Sequence, residues 1–282
     1  MVLESILNPK NAEDKPWHIF IIAFIYTFIG VFFAHQLFPT QSSTLTVAII
    51  TILFIPFFEN LFELEEEKDD DVVKNRKKTN IFSRHKQAIN VFSAFFMGII
   101  VAMTFIFIFM PTGNVFTLQA QTIEGFSGRV VSSAPSGINP LGGVVDQGDF
   151  TRFFVNNTGV MILVFVMSLM FGAGAIFILV WNASVIAVYV GLIVKSLASN
   201  GLNMTTAYLY GVPVGLGSIA LHGIPEIAAY FVAGIAGGIL GIGVIREKLN
   251  SEEFHFVLKD SLVFLAIAEG LIIAAALIEA AL

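Results

Sequence analysis

The run Thr205 to Ile245, TTAYLYGVPVGLGSIALHGIPEIAAYFVAGIAGGILGIGVI, is apolar almost throughout yet carries His222, Pro225 and Glu226 at its middle. A hydrocarbon core is about 30 Å thick and a helix rises about 1.5 Å per residue, so the run is long enough for two passes. Gly223 lowers helix stability and Pro225 removes a backbone donor, while proline suits the first turn of a new helix. The segment LHGIPE therefore predicts a break between two helical pieces. In lipid, a broken backbone persists only where protein or a water-lined cavity satisfies its polar groups, which sets His222 and Glu226 against other helices.

Beyond the predicted break, Ala233, Gly234, Gly237, Gly238, Gly241 and Gly243 recur at the spacing that lets two membrane helices approach at backbone distance. Helix packing accounts fully for Gly234, Gly237, Gly238 and Gly241. The same faces serve either packing within one chain or a homodimer.

The rest of the chain shares this character. Of 282 residues, 56% are hydrophobic and 13% charged, and the mean hydropathy is +0.83. That composition excludes an ordinary soluble domain and predicts an all-α, polytopic transmembrane bundle of six to eight segments, a single domain over 1–282 whose first partner is the lipid bilayer. No cysteine is present, which excludes disulfides, thiolate catalysis and cysteine metal sites. The net charge of -6 is segregated along the chain and gives no support for a nucleic-acid partner.

In chain order, Met1 to Pro16 lacks the pattern of a cleaved signal and has room for a brief interfacial helix. Trp17 to Phe38 is the first span and Thr44 to Phe62 the second, kinked or ended near Pro56. The block Glu63 to Gln87 holds Lys68, Lys74, Arg76, Lys77, Lys78, Arg84 and Lys86, nearly half of the 15 basic residues. The positive-inside rule places this block, and with it the amino terminus, in the cytoplasm of a multi-pass cell-membrane protein. It reads as a solvated, charged loop. Ala88 to Met110 is the third span, and residues 111–150 form an external loop long enough to carry function, with a hint of a strand in TIEGFSGRVVSS. Residues 151–181 contain the fourth span and 184–199 the fifth, with Lys195 reaching toward the headgroups. Residues 261–282 are the last span. If Arg246 to Asp260 is cytoplasmic, residues 205–221 must be re-entrant or half-depth; if every segment crosses, that loop lies outside.

The residues with chemistry to offer are His222, Glu226, Glu269 and Glu279, with Asn156, Asn157, Asn182 and Lys195 as neighbours. A carboxylate at mid-bilayer costs about 3 kcal/mol on insertion scales, so such groups turn inward and mark a pair, a pathway or a site. His222 and Glu226 are the pair that would hold a divalent cation, but the H-E-x-x-H pattern of metallopeptidases is absent. No phosphate-binding or serine-nucleophile motif occurs, so no cofactor is indicated. Two further readings stay open beside a structural one: an ion- or proton-coupled transporter using these groups, and an intramembrane metal-dependent hydrolase.

HGIPEIAAYFVAGIAGG, the upstream FFVNNTGV and the closing LIIAAALIEA together resemble the stage II sporulation protein M family over roughly 153–279. The resemblance implies an all-helical integral membrane protein without established enzymatic activity, in which Asn156, Asn157, His222, Glu226 and Glu279 stand at motif positions. The reading adopted is a non-enzymatic membrane scaffold that recruits membrane or external protein partners, with the 112–150 loop as contact surface.

Overall fold

The computed structural model describes residues 8–76, 79–110, 113–124 and 147–281, and every regular element among them is a helix. The order is α1 (Pro9–Asp14), α2 (Trp17–Leu37), α3 (Ser42–Lys74), α4 (Ile81–Phe109), α5 (117–124), α6 (Gln147–Phe171), α7 (Gly174–Ser199), α8 (Met204–Arg246) and α9 (Glu252–Ala281). Seven of them, all but the short α1 and α5, are long and apolar enough to cross a membrane.

The break expected at LHGIPE does not occur. α8 is one continuous helix through both Pro213 and Pro225. A proline removes one intrahelical bond, a loss that membrane helices absorb where neighbouring helices brace the segment. α8 is braced on either side of the segment around Pro225: Gly211 and Gly215 meet Val194 and Val190 of α7, Gly237 and Gly241 meet the backbone of α6, and Gly243 meets Val257 of α9. In its most apolar window 78% of residues are buried, the largest share of any span, so α8 is the central strut.

One crossing by α8, in place of two, resolves the parity left open above. The turn from α8 to α9 returns to the end of the bundle that holds residues 63–87, where Arg246 Nη1 lies 3.1 Å from Glu63 Oε1 and 3.5 Å from Glu66 Oε2. With α8 continuous, seven helices are long and apolar enough to cross, and neither a half-depth helix over 205–221 nor a flipped loop is needed to account for this placement.

The tight connections use the left-handed backbone region open to glycine: Gly172 (φ +54°) joins α6 to α7 and Gly201 (φ +101°) joins α7 to α8. Asparagines start three of the helices, with Asn8 accepting from Lys10 N at 3.0 Å and Asn80 and Asn203 accepting from Phe82 N and Thr206 N, both at 2.9 Å. Between α3 and α4 a ladder of phenylalanines fills the interior. Ring centroids of Phe54 and Phe95 lie 4.7 Å apart and those of Phe58 and Phe92 4.8 Å apart, in edge-to-face contact.

The block Glu63 to Gln87 is not the solvated loop the charge run suggested. α3 carries it as helix to Lys74 and α4 resumes at Ile81. At the opposite end, residues 113–124 are seated on the bundle: Val115 and Phe116 are buried, Ser43 Oγ donates to Asn114 O at 2.8 Å, and Gln119 Nε2 donates to Ser184 Oγ at 3.2 Å. Most of TIEGFSGRVVSS falls outside the described residues.

Candidate functional site

Lipid tails are as apolar as a leucine core, so the order of helices in a bilayer is fixed by close fit and by polar ties. The densest set of ties sits at one end of this bundle. The inward stripe of α3 passes from Phe54, Phe58 and Leu61 to Glu65, Asp69 and Val72 at three- and four-residue intervals, all buried. The helical face that packs on α4 thus carries two carboxylates just past the apolar part of the span. The first turns of α4 present Arg84 and His85 to them, α1 contributes Glu13, and α9 contributes Asp260.

His85, fully buried, is held between the two acids. Nδ1 lies 2.5 Å from Glu65 Oε2 and Nε2 3.1 Å from Asp69 Oδ1. Arg84 Nε lies 3.2 Å from His85 Nε2 and is ion-paired with Asp69 Oδ1 at 2.5 Å. Carboxylates thus flank both ring nitrogens, the surroundings that favour the imidazolium. The other arm of Arg84 pairs with Asp260 on α9, and its guanidinium carbon stands 5.2 Å from the centre of the Phe256 ring. Lys68 Nζ closes the network at 2.5 Å from Glu13 Oε1 and 2.6 Å from Glu65 Oε1.

Burial, and then the neighbouring Glu65 carboxylate, push the Glu13 carboxyl up to about 7 against the pull of Lys68. With Glu13 protonated and His85 as the imidazolium, Glu65, Asp69 and Asp260 balance Lys68, Arg84 and His85, charge for charge. A buried network is tolerated only when it is matched in this way. Asp69, His85 and Asp260 also bring ligand atoms within 4.8 Å of one another, the spacing of a metal site. Arg84 already bridges the two aspartates, so a guanidinium supplies the positive charge there.

The residues singled out from sequence fall elsewhere, on α6, α7, α8 and α9. The Tyr230 hydroxyl donates to Glu226 Oε1 at 2.7 Å within α8. The Thr158 hydroxyl reaches Glu269 Oε1 at 3.1 Å and Oε2 at 3.3 Å, linking α6 to α9. Asn156 Nδ2 donates to Asn157 Oδ1 at 2.9 Å. His222 Nδ1 is buried without a hydrogen-bond partner among the described residues, and Glu279 is half-buried near the end of α9. Gly238 lies against the Phe62 ring, and Gly234 against Val164, Phe92 and Ala175. Lys195 sits over the Phe107 ring, 3.8 Å from its centroid.

The fold and its sites define a polytopic helical membrane protein whose ionisable side chains are largely drawn into pairs between and within helices. The family described as Stage II sporulation protein M matches residues 19–282, and the chain belongs to that family. No curated protein and no solved structure matches it.

Proposed function

We propose that the protein is a non-enzymatic membrane scaffold that holds a partner at the end of the bundle bearing residues 113–124. The observation that carries this reading is the seating of that segment. Phe116 is buried, Ser43 Oγ bonds Asn114 O and receives Leu118 N at 3.3 Å, and Gln119 is buried against Ser184. A long connection whose first residues are pinned in this way to a rigid bundle is a common setting for a recognition loop. The polar end, with Arg84, Arg246 and Lys68, then faces the cytoplasm by the positive-inside rule, which puts the loop outside.

Ion-coupled transport and metal-dependent hydrolysis have weaker support. Glu226 and Glu269 are each engaged by a hydroxyl, Tyr230 and Thr158, and hydroxyl-bonded carboxylates suit fixed helix register. The test is deletion of residues 126–144, leaving the seated 113–124 intact, followed by affinity purification from the native membrane. Loss of co-purifying partners with an unchanged melting temperature is expected; retention of every partner would overturn the reading.

A further inference from the structure

Among the described residues, an apolar groove of about 250 Å³ opens on the side of the bundle between α4 and α8, floored by α7. Its walls include Ile89, Met97 and Ile100 of α4, Ile186 of α7, and Leu216 and Ile227 of α8. The hydroxyl of Ser93, also in the wall, is spent on Ile89 O at 2.8 Å. The groove therefore offers nothing but hydrocarbon contact. Gly223 opens its α8 side: a Cβ there would meet only Ile219 of its own helix, at 3.9 Å.

Two observations identify the occupant. Along α4 the groove runs from Ile89 to Ile100, about 16 Å at 1.5 Å per residue, and along α8 from Leu216 to Phe231, about 22 Å. These lengths are about one to one and a half leaflets of about 15 Å each and fall short of the roughly 30 Å that a partner's membrane helix would occupy. Second, Lys86 precedes Ile89, Ser93, Met97 and Ile100 at helical spacing on the same face of α4. It is exposed and has no ion pair among the described residues. One turn beyond the groove, it stands where a lipid headgroup would lie.

We infer that the groove between α4 and α8 binds one acyl chain of an anionic phospholipid, with Lys86 pairing to the headgroup phosphate. The inference goes beyond the scaffold reading and does not depend on it. A free phosphate or a detached fatty acid engages one half of the site and not the other.

The test uses the full-length protein in detergent, offered phosphatidylglycerol or phosphatidylcholine, with retained lipid counted by native mass spectrometry. One phosphatidylglycerol per chain is expected. Lys86→Ala should cut the preference for phosphatidylglycerol over phosphatidylcholine about fivefold, the scale of one basic residue at a charged lipid surface. Gly223→Phe should cut retention of both lipids at least fivefold with an unchanged melting temperature. Equal retention by wild type and both variants would overturn the proposal. So would capture by a second protein chain, which the absence of native cysteine makes easy to detect: Ile224→Cys should stay monomeric under oxidation, and a disulfide-linked dimer would assign the groove to a second copy.

Discussion

His85 Nδ1 and Glu65 Oε2 stand 2.5 Å apart with both side chains withdrawn from solvent, fastening the start of α4 to the far end of α3. Removing one partner of a buried charge pair strands the other, at a cost of about 3–5 kcal/mol. His85→Ala and Glu65→Ala should each lower thermal stability by that order. The double replacement His85→Leu with Glu65→Leu should recover most of it, because no unmatched charge remains between those two positions. Melting in detergent micelles reads this out; a double variant no more stable than either single one would show that the pair does not act as a unit.

Glu13 gives the docking of α1 a pH dependence whose sign follows from its carboxyl. Burial and the Glu65 carboxylate raise it from 4.5 to about 7, so the folded protein holds this proton more tightly than the unfolded chain. The stabilisation is fully present below pH 4.5 and is lost as pH rises to 7. Melting temperatures of wild type and Glu13→Gln should therefore diverge between pH 5 and pH 8, with the wild type falling further. Parallel curves would contradict the assignment.

Glycines of α8 should respond oppositely to alanine. At Gly241 a Cβ would come 2.7 Å from the carbonyl oxygen of Leu169, a backbone atom that cannot rotate away. Gly241→Ala should destabilise by about 1–3 kcal/mol through overpacking. Gly223 faces open space, so Gly223→Ala should gain up to about 1 kcal/mol of helix propensity. If both variants melted alike, the close approach of α6 to α8 would be in question.

Tyr230→Phe deletes the hydroxyl that donates to Glu226 and should cost about 1–3 kcal/mol, the penalty for an unsatisfied acceptor. Glu226→Gln keeps an oxygen for Tyr230 and should be close to neutral. A Glu226→Gln variant as unstable as Tyr230→Phe would mean that the carboxylate charge itself is needed.

Much of the bundle was legible because hydropathy and length report directly on membrane spans: α2, α4 and α9 begin or end within a few residues of the expected bounds. α8 defies the expectation because Gly223 and Pro225 look like punctuation in any sequence, and the helices that hold α8 on either side of them are invisible until the fold is known. The ion network was missed for a different reason. A run such as ELEEEKDDD looks solvated in composition, yet the spacing of Leu61, Glu65, Asp69 and Val72 continues the buried stripe that begins at Phe54. That periodicity was readable; the partners on α1, α4 and α9 were not, since residues distant in sequence supply them.

α8 spans 43 residues, about 64 Å if straight, against a hydrocarbon layer of about 30 Å. No upright placement keeps both of its ends among the headgroups. The helix must lean, or the lipids beside it must rise to meet it, and either response has an energy set by how thick the surrounding sheet is. Membrane regions of different thickness will hold this protein unequally.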